Sequence, residues 1–263
     1  MKSLFRGVIY CAMAALFVSC TVKEDRTVCP CLLEVHFTDR EHIKDPVGLL
    51  CLSESLVFKE AIRTADYPEA YVRKVSKSML SFAAVEGIDK CRWEGGSVVV
   101  PAGSECDSLY SFNDLIDCMG EKASTVVEFH KQFATVNIVI SNADAVAQDY
   151  SFVVESSSNG IDILTAGAVP GPFRFEPELF ENSRVRFRLP RQADDSLTLT
   201  VIHSSGDNTT FPLGIFISSI GYDWNAIDLQ DIYITLDISR SRVIIGVAEW
   251  ESSSEFELTN VEM

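Results

Sequence analysis

The sequence predicts an all-β protein, with two tandem antiparallel β-sandwich domains and one short helix behind a short N-terminal leader. Three observations carry this expectation. Apolar residues recur with period two in many runs of strand length. Asp-Pro, Tyr-Pro, Glu-Gly and Asp- or Asn-containing clusters separate those runs at hairpin spacing. A helical period shows in a single stretch, so layers of sheet must supply the cores. The chain has 263 residues, 47% of them hydrophobic, which suffices for two packed cores and excludes wholesale disorder.

The leader comes first. Lys2 and Arg6 give a positive start, residues 7–18 carry no charge, and Ser19 precedes Cys20. A positive region, a short apolar region and a small residue at the cut describe a secretory signal over residues 1–19. The cysteine directly after the small residue resembles a bacterial lipoprotein signal, in which Cys20 becomes the first mature residue and bears the lipid. The alternatives are a plain secretory signal and an uncleaved anchor. The apolar run is shorter than the roughly 20 residues that span a bilayer. Residues 20–31 are polar and read as a tether.

Strand patterns follow in order. Leu33, Val35 and Phe37 alternate with Glu34, His36 and Thr38, as in a half-buried strand. Residues 47–52, 56–58, 71–75, 79–85 and 98–100 are further short β-type runs. Within residues 107–119, Leu109, Phe112, Leu115, Ile116 and Met119 fit one helical face and Gly120 can stop it, so the one helix is expected there. The first sandwich is placed at 32–122 and the second at 123–263. In the second, Ala134, Val136, Ile138 and Ile140 share a face. Val185, Phe187 and Leu189 alternate with Arg184, Arg186 and Arg188. Leu197, Leu199 and Val201 form another strand face, as do Ile232, Ile234, Leu236 and Ile238. Residues 243–250 form a last apolar strand, and the tail 251–263 is one more strand or a loose end.

Charge and motifs limit the function. The formal net charge is −16, and loss of Lys2 and Arg6 with the signal makes the mature chain more acidic still. Such a chain repels nucleic acid and anionic membrane surfaces, so a membrane is reached through lipid. Six cysteines remain beyond Cys20: Cys29, Cys31, Cys51, Cys91, Cys106 and Cys118. Export permits disulfides among them, in any of fifteen pairings. Zinc is the weaker alternative, because Cys29-Pro30-Cys31 is not a CxxC knuckle. The four histidines, His36, His42, His130 and His203, show no metal-ligand spacing. No nucleophile elbow, His-Glu-x-x-His string or phosphate-binding glycine loop is present, so neither an enzyme nor a cofactor is expected. Arg184, Arg186 and Arg188 form a basic stripe that reads either as a docking face for an acidic partner or as a solvated strand face. Tyr222 and Trp224, in the run 221–224, either contact glycan or plug the end of a sandwich.

Cys20, Cys29 and Pro30, followed at once by a strand, resemble the start of the FimB/Mfa2-type fimbrial anchor lipoproteins of Bacteroidales. Residues 211–215, 221–224 and 228–237, with a closing strand ending at Trp250, are similar in order to the second domain of fimbrillin-related proteins. The resemblance implies two transthyretin-like β-sandwich domains, lipidation at Cys20 and attachment to the cell outer membrane with surface exposure. It implies a structural role at the base of a fimbria, with other fimbrial subunits as partners that join by donating a β-strand. An anchor of this kind keeps its N-terminus, because a cut at Arg26, Arg40 or Lys44 would separate fold from lipid. Lys23, Glu24 and Asp25 resemble an acidic surface-export signal or form an ordinary tether. The alternative function is a stand-alone surface lipoprotein or tip adhesin that binds glycan or a host ligand.

Overall fold

Alternation in the first strand, β1 (Cys31–Phe37), is translated directly into packing: Cys31, Leu33, Val35 and Phe37 are buried and the residues between them are not. The computed structural model describes residues 29–141, 150–180, 183–204, 206–237, 242–247 and 254–257. The signal, Cys20 and most of the tether lie outside the described residues.

The first sandwich faces a three-stranded sheet with a five-stranded one. The small sheet has the order β4-β1-β9, where β4 is Tyr71–Val75 and β9 is Lys122–Val127. In it β1 runs antiparallel to β4 and parallel to β9. The larger sheet has the order β10-β8-β5-β2-β3: β10 is His130–Lys131, β8 is Tyr110–Asp117, β5 is Met79–Glu86, β2 is Val47–Leu52 and β3 is Leu56–Ile62. Leu33, Val35, Leu49, Leu80, Phe82 and Ile116 fill the space between them.

Two larger sheets enclose the second core. One has the order β14-β15-β11-β18-β19-β20: Leu179–Phe180, Arg184–Pro190, Phe133–Ile140, Ile232–Asp237, Arg242–Val247 and Ser254–Glu257. The other has the order β17-β16-β12-β7-β6: Asn208–Phe211, Thr198–His203, Tyr150–Asp162, Ser97–Val99 and Arg92–Glu94. The strand β13 (Gly167–Phe175) also pairs with β12. The tail therefore contributes a strand, β20, paired to β19.

The two halves share material. The β6–β7 hairpin comes from the first half of the chain yet extends a sheet of the second, through β7 and β12. The boundary expected at 122 falls at the first residue of β9, which lies on β1, while β10 lies on β8. The sheet holding β2 and β5 is apolar on both faces: Leu49, Phe82 and Ala84 face the first core, while Leu50, Ala83 and Val85 join the second. That double burial explains why these two strands read as nearly continuous apolar runs.

The helix expected over residues 107–119 is a correction. Residues 110–117 form β8, laddered to β5 from Met79↔Asp117 to Glu86↔Tyr110. Of the supposed helical face, Leu115 and Met119 are 63% and 61% exposed. The i, i+3, i+4 spacing arose from residues on opposite sides of a strand, and the long ladder with β5 decided the outcome. The helix present among the described residues is α1 (Leu213–Ser219), with Leu213, Phe216 and Ile217 buried. It passes so close to the preceding segment that a Cβ on Gly214 would lie 2.3 Å from the Asp195 carbonyl oxygen.

Candidate functional site

The N-terminal end of the described residues is built around β1. Only Cys29 and Pro30 precede it among the described residues, and it enters the sheet as the central strand, bonded on both sides. Arg40, just beyond β1, donates from its guanidinium to the carbonyl oxygens of Tyr67 at 2.6 Å and Glu69 at 3.1 Å. Both hold the strand's exit to the loop before β4.

The arginine stripe divides. Arg184 and Arg186 are exposed on β15. Arg188 is turned into the molecule: it donates to the Cys106 carbonyl at 2.8 Å, to Ser108 Oγ at 3.1 Å and to Glu105 Oε1 at 2.5 Å. Of the three, Arg188 therefore fastens the second sandwich to the segment 105–108 of the first half. Arg191, the residue directly after β15 ends at Pro190, is more deeply placed, at 3% exposure. Its guanidinium donates to Gln132 Oε1 at 2.7 Å and to the carbonyls of Trp224, Ala226 and Ile227 at 2.6, 2.7 and 3.1 Å. Burial lowers its pKa, with the acidic groups Tyr222, Asp223 and Asp228 working the other way. An arginine stays charged under this pressure.

This buried cation shapes the loop after α1. Tyr222 donates its hydroxyl to the Gln230 carbonyl at 2.7 Å, and its ring meets Trp224 edge-on at 4.6 Å. Burial first, then the Asp231 charge, push the Tyr222 phenol up, so it remains a neutral donor. Trp224 is buried, so the loop closes this end of the sandwich. Beside it lies a cleft of ≈ 400 Å³ lined by Gln192, Asp194, Asp195, Tyr222, Asp223 and Trp224 among others. Ser196 and Ser157 hydrogen-bond to Asp194 and hold its carboxyl below the ordinary range. Ser218 Oγ donates to Asp195. Two buried polar atoms on this lining, Trp224 Nε1 and Gln192 Oε1, have no hydrogen-bond partner. The cleft thus offers carboxylate acceptors and aromatic edges, with these two atoms buried beneath its lining. The sequence could not show this, because the lining comes from segments far apart along the chain.

The cysteines fall into two groups. Cys31, Cys51 and Cys118 share the first core, Cys91 and Cys106 the second, and Cys29 is exposed. The histidines are dispersed: His42 meets Asp39, His130 meets Asp228, and His203 stacks edge-on against Tyr150. Among the described residues no group of three or more His, Cys, Asp or Glu side chains is placed to hold a metal ion. Among them, too, no helix is long and apolar enough to cross a membrane.

No family model matches the chain, and no curated protein sequence matches it. Solved structures do match. A candidate adhesin from Bacteroides ovatus is similar with a TM-score of 0.61 at 12% identity, over 92% of this chain and 99% of the other. A candidate polysaccharide-binding protein from Bacteroides thetaiotaomicron is similar at 0.60 and 15% identity, over 88% and 99%. The fimbrial anchor protein Mfa2 from Porphyromonas gingivalis is similar at 0.59 and 13% identity, over 84% and 98%. At such identities the likeness is one of fold, and it extends over both sandwiches.

Proposed function

We propose that the chain is a lipid-anchored structural subunit at the base of a surface fimbria, attached through Cys20 to the cell outer membrane and exposed outside. It joins other fimbrial subunits by β-strand exchange and performs no catalysis. The observation that carries this reading is the place of β1. A strand that follows the tether directly and is bonded on both sides cannot be removed without opening its sandwich. Lipid at Cys20 is then joined to the fold by about ten residues of chain. The whole-chain likeness to a fimbrial anchor supports it. Exchange requires unpaired main-chain donors and acceptors, which edge strands such as β20 and β17 present.

Cys20→Ala tests the attachment. The expected result is release of the protein, with any fibres it holds, into the medium. Retention in the membrane fraction would falsify the lipid assignment. Detergent pull-down of the native protein from the parent cell tests the assembly role, with a ladder of polymerised subunits as the expected result.

A second reading, a stand-alone surface lipoprotein or tip adhesin that captures glycan or a host ligand, is favoured by one observation. The cleft beside Trp224 holds a buried indole N–H and a buried amide oxygen without partners, among carboxylates suited to hydroxyl groups. A monomer in the pull-down, together with glycan-array binding abolished by Asp195→Ala, would establish it in place of the anchor role.

A further inference from the structure

Two pairs of buried thiols are brought together by backbone geometry rather than by neighbouring sequence. Cys91 immediately precedes β6, and Cys106 lies beyond β7. The carboxylate next to Cys106 gathers the start of that segment: Asp107 Oδ2 accepts from the amides of Asp89 and Lys90 at 2.8 Å and of Cys91 at 2.7 Å. Arg188 then fixes Cys106 from the other side, by its backbone carbonyl at 3.1 Å and its Nε at 2.8 Å. The Cys91 and Cys106 thiols lie in hydrogen-bond contact, and both belong to the second core.

The other pair closes the end of the first sandwich. Cys31 opens β1 and Cys118 directly follows β8. The Leu32 amide donates to the Glu121 carbonyl at 2.9 Å and the Cys118 amide to Ser78 at 3.0 Å. The first bond draws the start of β1 to the turn after β8, and the second holds Cys118 beside the start of β5. The Cys31 and Cys118 thiols are in contact, with Cys51 close by on β2, and all three are fully buried. Burial pushes the Cys118 thiol up to about 12 and the Cys51 thiol up to about 11. Thiols so buried and so rarely ionised react slowly once folded, so oxidation belongs to the folding step.

We propose that Cys91–Cys106 and Cys31–Cys118 are disulfides of the exported protein, with Cys51 left as a buried thiol and Cys29 as an exposed one. The proposal rests on the export half of the functional reading and is independent of the anchor role. Forming each bond joins the two sulfurs and removes two protons and two electrons. A dithiol–disulfide oxidant of the cell envelope accepts them, its own disulfide being reduced to two thiols. The first bond closes the loop that carries the β6–β7 hairpin into the second sandwich. The second ties the start of β1 to the opposite sheet.

The test uses the full chain, solubilised in detergent from the parent cell. Free thiols are alkylated in denaturant and the unreduced digest is mapped by mass spectrometry. Peptides joining 91 to 106 and 31 to 118 are expected, with Cys29 and Cys51 alkylated. Any other linkage overturns the proposal. So does full alkylation of all six, both from cells and after refolding in oxidised glutathione. Full alkylation from cells, with both links after oxidative refolding, upholds the pairing and refutes export instead. As a second measurement, the double variant Cys91→Ser, Cys106→Ser should melt roughly 6–12 °C below the oxidised protein. Reduction of the wild type opens both bonds and should lower its melting point at least as far, and a melting point unmoved by either change counts against the bond.

Discussion

At the scale of single residues, the second sandwich depends on a buried charge whose hydrogen bonds go to neutral acceptors. Arg191 is matched by the Gln132 side chain and three carbonyls, all drawn from loop backbone that would otherwise lack donors. Arg191→Ala should lower unfolding free energy by about 3 kcal/mol in urea denaturation, since several buried acceptors lose their partner at once. Arg191→Lys should recover little, because a point charge cannot reach a planar array of acceptors. Asp107 behaves in the opposite sense. Burial works to raise its carboxyl, but the amides of Cys91, Asp89 and Lys90 outweigh it and hold it below the ordinary range. A depressed carboxyl contributes stability that is complete above its unfolded value, about 3.9, and lost as pH falls through its folded one. Asp107→Asn should therefore cost about 2 kcal/mol at pH 7 and progressively less below pH 4, measured by denaturant midpoints across that range. A constant difference at every pH would show that the charge is irrelevant.

Among the elements, legibility followed the simplicity of the environment. β1, β11 and β15 have one face in a core, and their alternation was plain in the residues. β8 misled because Phe112, Leu115 and Ile116 imitate a helical face while their backbone is committed to β5. β12 had no counterpart in the sequence reading: Ser156 through Gly160 interrupt its apolar pattern, and the structure absorbs them as irregularities within one long strand. α1 is a single short helix containing Gly214, too brief to show a period. The cleft beside Trp224 joins residues thirty positions apart and has no local signature at all. Gly160 marks where β12 meets the crossing hairpin, since a Cβ there would lie 2.3 Å from the Val98 carbonyl oxygen. Gly160→Ala should push β7 off β12 and cost about 2 kcal/mol. Amide exchange at Val100, which donates to Asn159 at 2.7 Å, should quicken by more than the global loss accounts for.

For the whole molecule, the shared sheet decides cooperativity. β2 and β5 present apolar side chains to both cores, and the β6–β7 hairpin lies between the halves. Neither half can leave without exposing Leu50, Ala83 and Val85 to water, at about 25 cal/mol per Å² of apolar surface. Thermal unfolding should therefore be one transition, with calorimetric and van't Hoff enthalpies in agreement. A fragment ending at residue 131 should show no cooperative melt. Two separated transitions in the intact chain would indicate independent domains.

The position of β1 also determines how the molecule bears mechanical load. In the proposed anchor role, drag on a fibre would pull against the tether, and the pull would enter the fold at Cys31, along the axis of the strand. Because β4 and β9 lie alongside on either flank, that pull is applied in shear. The rungs of both ladders must slip together, whereas a strand peeled from an edge would yield them one at a time. Force spectroscopy by pulling from the N-terminus should record a single high rupture event rather than a graded unzipping.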